Sequence, residues 1–166
     1  MANRPLGTTE ISSVTVGYAH VCGVRVTDSR LTCAGTEQGF TVISDMPTSG
    51  VWEKVVASIY HNCALSLTGD VTCWGFNEQG QADDQTGPFE DLSVGQYHSC
   101  AIEASGALFC WGINDGSVLD FGQVSDTPSG QYATLDAGRV HTCAVTMAGS
   151  IECWGSDAFL QVSGHP

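Results

Sequence analysis

The fold is decided by residues 61–75, HNCALSLTGDVTCWG, which read as two short strands joined by a turn. Residues 61, 63 and 65 alternate with residues 62, 64 and 66, and residues 71 and 73 alternate with 72 and 74. In each segment the two sets lie on opposite faces, which is the two-residue period of a β-strand. If Cys63 lies opposite Cys73, the strand pairing leaves residues 67–69 as a three-residue loop. Such loops need a residue in the left-handed region, and Gly69 adopts it without steric cost. The stretch therefore predicts a β-hairpin with two cysteines facing each other.

The same stretch occurs four times along the 166 residues. The motif His-x-Cys begins at His20, His61, His98 and His141. Three units continue into Cys-Trp-Gly, with the tryptophans Trp74, Trp111 and Trp154, whereas the first has Ala34 in that place. A period near 40 residues with short strands is typical of one propeller blade per repeat. We expect an all-β, propeller-like array of about four blades of antiparallel strands, in a single repeat domain over residues 1–166, with units near 8–48, 49–86, 87–128 and 129–166.

The hairpin register makes each cysteine pair a candidate disulfide. Directly opposed residues on adjacent antiparallel strands bring their Cβ atoms within disulfide reach. The predicted bridges are Cys22–Cys33, Cys63–Cys73, Cys100–Cys110 and Cys143–Cys153. Disulfides persist in oxidising compartments, so the sequence predicts a secreted, extracellular or cell-surface location.

Zinc binding is the alternative for these cysteines. Histidine with two thiolates resembles part of a zinc ligand set, but each unit offers three such ligands where a structural site takes four. Eight thiols that appear only after reduction would support disulfides, and eight free thiols in the untreated protein would exclude them.

The repeated His and Trp residues are interpreted as structural. A catalytic site brings unlike groups together once, whereas here the same group recurs in every unit. We expect each histidine to be buried and bonded to backbone, and each tryptophan to pack between blades. No nucleophile elbow, phosphate loop or zinc-protease helix motif occurs, so an enzyme is not expected.

The charge excludes some partners. Five Lys and Arg stand against 18 Asp and Glu, for a net charge of −13. Nucleic-acid binding needs clustered basic residues, which are missing. No apolar run approaches the roughly 20 residues of a spanning helix, so membrane insertion is not expected.

Residues 95–102, GQYHSCAI, and residues 106–114, GALFCWGIN, resemble the repeat of the regulator of chromosome condensation family. Unit two matches that repeat to its end, WGFNEQGQ at residues 74–81. The short period and paired cysteines look like bacterial extracellular members. The family implies blades of four antiparallel strands in a ring, usually of seven. The acidic composition opposes the chromatin role of some members, so the resemblance implies the fold but not exchange-factor activity.

Four units are about half of such a ring, so we expect the arc to be completed by self-association, as a ring or a filament. The N-terminal segment 8–16 is expected to pair with another chain or to close the ring. Residues 160–163, LQVS, look like a strand begun without a partner.

Recognition is expected in the variable loops between units, because scaffolded loops usually carry binding residues. The candidate residues are Phe40, Asp45, Asp83, Asp84, Asn114, Asp115 and Asp120. The resulting prediction is a non-catalytic extracellular scaffold that binds itself or another extracellular protein. Carbohydrate binding is the alternative. No cofactor is expected, and calcium at Asp83 and Asp84 or at residues 114–116 is the alternative to solvated turns.

Overall fold

The computed structural model describes residues 9–164, and everything below refers to that part of the chain. It contains twelve strands in four antiparallel sheets and no helix. No helix in this range is therefore available to cross a membrane. Residues 1–8 and 165–166, which include the start of the expected segment 8–16, lie outside the described residues.

Each sheet is one blade of three consecutive strands. Blade one contains β1 (Ile11–Val16), β2 (His20–Arg25) and β3 (Leu31–Gly35). Blade two contains β4 (Trp52–Ala57), β5 (His61–Ser66) and β6 (Val71–Gly75). Blade three contains β7 (Phe89–Val94), β8 (His98–Glu103) and β9 (Leu108–Gly112). Blade four contains β10 (Tyr132–Ala137), β11 (His141–Thr146) and β12 (Ile151–Gly155).

The hairpin between the second and third strands has the predicted register. Cys63 pairs with Cys73 across β5 and β6, and Gly69 in the loop has a φ of 87°. Blade one, whose two cysteines are 11 positions apart and not 10, has a different turn. Its loop closes between Arg25 and Arg30, and Ser29 occupies the left-handed region with a φ of 54°. The hairpin of blade one therefore has a longer loop, without the glycine found in the loops of the other three hairpins.

The four disulfides are present in the pairing that this register requires: Cys22–Cys33, Cys63–Cys73, Cys100–Cys110 and Cys143–Cys153. Each joins the second and third strands of one blade at directly opposed positions. No cysteine is free. Every blade is therefore crosslinked within itself, and no bridge joins two blades.

The blades have three strands where the family resemblance implied four. In blade two a single bridge between Val71 and Gln85 lies where a fourth strand would pair. Beyond it, the carboxylate of Asp84 accepts a hydrogen bond from the amide of Cys73 at 2.8 Å. The edge of β6 is thus satisfied by a side chain, because the following segment turns away from it.

The core lies between blades. We call the side of a sheet that packs on the following blade its forward face, and the opposite side its rear face. At the boundary of blades two and three, Cys63, Leu65 and Val71 on the forward face pack on Leu92 and Trp111 of the next rear face. Equivalent residues form the other two boundaries. The first three disulfides are therefore part of interblade cores, whereas Cys143–Cys153 belongs to none of the three.

The first strands of the four blades contact one another in chain order, β1 to β4, β4 to β7 and β7 to β10. Residues 9–164 form an open arc and not a closed ring. The segment expected to pair elsewhere is β1, the first strand of blade one, hydrogen-bonded to β2. It does not close a ring within residues 9–164, and pairing of its other edge with another chain stays a prediction.

Candidate protein interface

The motif histidines connect neighbouring blades. The Nε2 atom of His61 lies 2.8 Å from the Oγ of Ser99, the middle residue of the next His-x-Cys motif. His20 bonds Asn62, and His98 bonds Thr142, at the same distance. The sequence predicted backbone partners, but the structure pairs each ring with a side chain of the following blade. Burial lowers the pKa of His61 to about 3 and that of His98 to about 4, with a smaller contribution from the neighbouring histidine.

The connection after each third strand is held by the next blade. The carbonyl of Val42 accepts hydrogen bonds from Nε1 of Trp74 at 2.9 Å and from Nδ2 of Asn62 at 2.8 Å. The carbonyl of Gln123 accepts from Nε1 of Trp154 at 2.9 Å. Between blades two and three, the carbonyl of Gln81 accepts from Ser99 at 2.8 Å. The carbonyl of each connection is therefore held by the motif middle residue of the next blade, by its tryptophan, or by both.

Blade one exposes a rear face that no blade covers in the described structure. Val14 is 68% exposed, whereas its equivalents Val55, Leu92 and Leu135 are 1%, 0% and 5% exposed. Val16 and Tyr18 beside it are 75% and 74% exposed. Isolated exposed apolar residues are ordinary, but adjacent ones on one sheet face mark an interaction surface.

The rear face of blade one also differs in its chemistry. Val21 and Ala34 form the cross-strand pair that is Asn62 and Trp74 in blade two. With alanine in place of tryptophan, an apolar groove remains between them, lined also by Ile11 and Val14. This face lacks the hydrogen-bonding middle residue and the tryptophan that the rear faces of the other blades carry.

Blade four exposes a forward face that keeps the repeat pattern. It carries His141, the Cys143–Cys153 bridge, Val145 and Ile151, which are all half-buried. In the preceding blades Val24, Leu65 and Ile102, equivalent to Val145, are at most 2% exposed. A shallow depression lies over this face.

The segment after blade four is a turn and not the strand that the sequence predicted at residues 160–163. The carboxylate of Asp157 accepts bonds from the amides of Val162 and Ser163, at 2.8 and 3.0 Å. These bonds, chiefly those with Ser163, lower the pKa of Asp157. The amide of Phe159 donates to Oε1 of Gln161, as Gln79 does to Gln81. The segment thus has the form of an interblade connection, with Gln161 in the position of Gln81.

The ends of the four first strands surround one central cavity of about 250 Å³. Val16, Ala57, Val94 and Ala137 line it, together with the turns that follow them. Arg139 at its rim contacts Oε1 of Gln96 in the neighbouring blade. The cavity is open and mainly apolar, and it is the described part of the channel that a propeller encloses.

Phe40, a candidate recognition residue, belongs to an aromatic cluster with Tyr60, Phe76 and Tyr97. Its ring centroid lies 4.5 Å from that of Tyr60 and 5.7 Å from that of Phe76. Tyr60 in turn lies 5.4 Å from Tyr97. The four half-buried rings run across blades one to three on the side of the turns before the histidines.

The acidic candidates are spread over three connections, and several act within turns. Asp84 holds the edge of β6, and Asp83 accepts a bond from Asn77 at 2.8 Å. Asp120 accepts from the amide of Gly116 at 2.8 Å, and Asp115 from that of Ser117 at 2.9 Å. The Ser117 bonds lower the pKa of Asp115. Asp45 and Asn114 are exposed. Across residues 9–164 no three acidic, His or Cys side chains converge as a metal site.

Sequence reasoning missed the end faces of the arc. The signal was present, since the first repeat lacks the tryptophan of the others and has valine between its His and Cys. Only the packing shows that these two positions touch each other and face the preceding blade. The exposure of Val14, Val16 and Tyr18 likewise follows from packing, because no blade within residues 9–164 covers the rear face of blade one.

Comparison with known proteins identifies the repeat. Residues 52–81 and 89–123, which span blades two and three, match the profile of the Regulator of chromosome condensation (RCC1) repeat. No significant match is found among curated protein sequences.

Solved propellers share the fold. The CRINKLY WD40 ectodomain of the receptor kinase ACR4 from Arabidopsis thaliana superposes with a TM-score of 0.75 at 26% identity, over 89% of this chain and 51% of that one. The ectodomain of the receptor kinase CR4 from Physcomitrella patens gives 0.74 at 25%, over 89% and 39%. Yeast RCC1 (Prp20), solved with Kap60, gives 0.74 at 15%, over 93% and 45%.

The chain therefore spans about half, or less, of these three solved chains. Its repeats in blades two and three are recognised by sequence as well as by fold. Two of its repeats, in blades two and three, match the regulator of chromosome condensation repeat, and residues 9–164 fold as an arc of four blades similar to RCC1-like propellers.

Proposed function

We propose that the protein is an extracellular, non-catalytic scaffold that binds other protein chains through the open ends of its arc. The observation that carries this proposal is the exposed rear face of blade one, where Val14 stands at a position that blades two to four bury and Val16 and Tyr18 are exposed beside it. The four disulfides support an oxidising environment, and the receptor ectodomains with the same fold support an extracellular one.

The first partner for this face is a second copy of the chain. An interface between two copies related by a twofold axis brings the same patch together from both sides, so it must be complementary to itself. A face of Val14, Val16, Val21 and Ala34 meets this condition because it contains no polar side chain that needs a specific partner. The proposed assembly is therefore a dimer through blade one.

Sedimentation velocity over a concentration series tests this function. We expect the wild-type protein to form dimers and the double variant V14D/V16D to remain monomeric, because burying carboxylates without partners is costly. The matched control is V118D, since Val118 is 89% exposed in the loop after blade three. A wild-type protein that stays monomeric throughout, or a V118D variant that loses the dimer equally, would refute the dimer.

Carbohydrate binding is the second candidate, favoured by the aromatic cluster of Phe40, Tyr60, Phe76 and Tyr97. Small-molecule sites are commonly lined by aromatic side chains with a few polar groups. A glycan array provides the test, with Y97A as the variant that should lose any signal. An array without signal for the wild-type protein would remove this candidate.

A further inference from the structure

The forward face of blade four has the same components as three interfaces already present in the chain. In each of those, a disulfide, an aliphatic pair and a histidine receive a blade that supplies a tryptophan and a hydrogen-bonding side chain. The bonding side chains are Asn62, Ser99 and Thr142, and the tryptophans are Trp74, Trp111 and Trp154. Three internal examples thus define what this face accepts.

Blade four offers every component of the receiving side. His141, the Cys143–Cys153 bridge, Val145 and Ile151 occupy the repeat positions. The connection that follows carries Gln161 where Gln81 and Gln123 present their carbonyls to the next blade. Within residues 9–164 no blade covers this side.

Blade one of a second copy fits this face poorly. Its Val21 offers no bond to His141, and its Ala34 offers neither the bulk nor the N–H of a tryptophan. Docked there, it would leave the histidine ring without a partner in a dry interface, and an unpaired buried polar group is expensive. Self-assembly head to tail, the route to a filament, is disfavoured by this mismatch.

We infer that the forward face of blade four is a docking site for a partner blade of the same repeat type that carries a tryptophan and a hydrogen-bonding residue. This inference rests on the proposed scaffold function, but it concerns the opposite end of the arc from the blade-one dimer. The rear face of the partner blade packs on the forward face of blade four, just as the rear face of blade four packs on the forward face of blade three. Its polar residue bonds His141, and its tryptophan donates to the carbonyl of Gln161.

The chain itself provides the probe. The double substitution V21T/A34W gives blade one the Thr142–Trp154 pair of blade four, at the same cross-strand positions. A third substitution, I151D, places a carboxylate on the forward face of blade four and prevents docking there. This donor can therefore bind only through the rear face of blade one, which carries the introduced threonine and tryptophan. The acceptor is the chain with V14D/V16D, which keeps blade four intact and cannot dimerise through blade one.

Titration calorimetry of donor into acceptor measures the contact. We expect a one-to-one complex with V21T/A34W/I151D, and binding at least about tenfold weaker with the matched donor I151D that keeps Val21 and Ala34. An acceptor that also carries I151D should not bind. Circular dichroism and thermal unfolding of each variant establish that it is folded.

Two results would overturn the inference. One is a folded donor that does not bind the intact acceptor. The other is equal binding by donors with and without the threonine and tryptophan. The blade-one dimer is measured separately on the wild-type protein, and the acceptor lacks that contact. Because both donors keep Val14 and Val16, each is used below the concentration at which sedimentation velocity shows it to dimerise.

Discussion

His61 and Ser99, 38 positions apart in the chain, are joined by a 2.8 Å bond between Nε2 and Oγ inside the boundary of blades two and three. His98 makes the equivalent bond to Thr142 one blade later. Both rings are buried, and burial lowers their pKa values to about 3 and about 4. The burial of these rings makes the stability of the arc depend on pH.

We expect stability to fall as the pH drops from about 6.5 towards 4. In that window the unfolded chain binds protons at both histidines, whose ordinary pKa is 6.5, while the folded chain does not. Stability is therefore fully present above about pH 6.5, and each histidine contributes a slope of up to about 1.4 kcal/mol per pH unit below it. Urea unfolding at a series of pH values measures this slope.

The variant H98Q provides the control for this prediction, because it removes one titrating ring and should reduce the slope by about one proton. Exposed carboxylates titrate at lower pH and do not account for a slope between 5 and 6.5. A urea midpoint that is the same at pH 7 and pH 5 would contradict the assignment.

Two buried tryptophans differ in one hydrogen bond. Nε1 of Trp154 donates to the carbonyl of Gln123 at 2.9 Å, whereas Nε1 of Trp111 has no partner among the described residues. The substitution W154F should therefore cost about 1 kcal/mol more in unfolding free energy than W111F. Chemical denaturation of the two variants gives the difference, and a W111F cost equal to or above that of W154F would count against the bond.

The disulfides should differ in their resistance to reduction. Cys63 and Cys100 are 0% exposed because the following blade covers them, while both atoms of the Cys143–Cys153 bridge lie half-buried on the open face of blade four. Limited treatment with a phosphine, followed by alkylation and peptide mass spectrometry, should label Cys143 and Cys153 first. Equal labelling of all four bridges would mean that the blades do not shield them.

Gly95 lies where its blade has no room for a side chain. A Cβ added there would be 2.1 Å from Cε1 of His98 and 2.8 Å from the carbonyl of Gly138. The variant G95A should lose about 1–3 kcal/mol of stability through overpacking. Blade two already has Ser58 at this position, bonded to Nδ1 of His61 at 3.2 Å, so S58A is the matched control and should lose less. Thermal unfolding of both variants decides the comparison.

The sequence predicts those features of the fold that depend on residues within a single hairpin. The Cys63–Cys73 register follows from the strand period and from Gly69, and both depend on neighbours fewer than a dozen residues apart. The four blades follow from repetition of the same pattern. These parts of the fold are local, so residue spacing is sufficient to find them.

The remainder depends on contacts between blades. After β6, Asp84 accepts a hydrogen bond from the amide of Cys73 where a fourth strand would pair, and no periodicity reveals this contact. The side chains that bond the histidines lie 38 to 44 residues away in the sequence. For this reason the sequence predicted backbone partners and not these side chains. Residues 160–163 alternate like a strand, but Asp157 bends them into a turn. The sequence does not reveal the two exposed end faces, because which blade faces are exposed depends on how the four blades pack in the arc.

The position of the first three disulfides inside interblade boundaries has a consequence for how the chain is made. A hairpin can be oxidised on its own as the nascent chain emerges, but one cysteine of its bridge is covered once the next blade docks on it: Cys22, Cys63 and Cys100 are at most 1% exposed. We therefore expect each pairing to be complete before the next blade folds. The order of synthesis thereby becomes the order in which these bridges are covered, from Cys22–Cys33 to Cys100–Cys110.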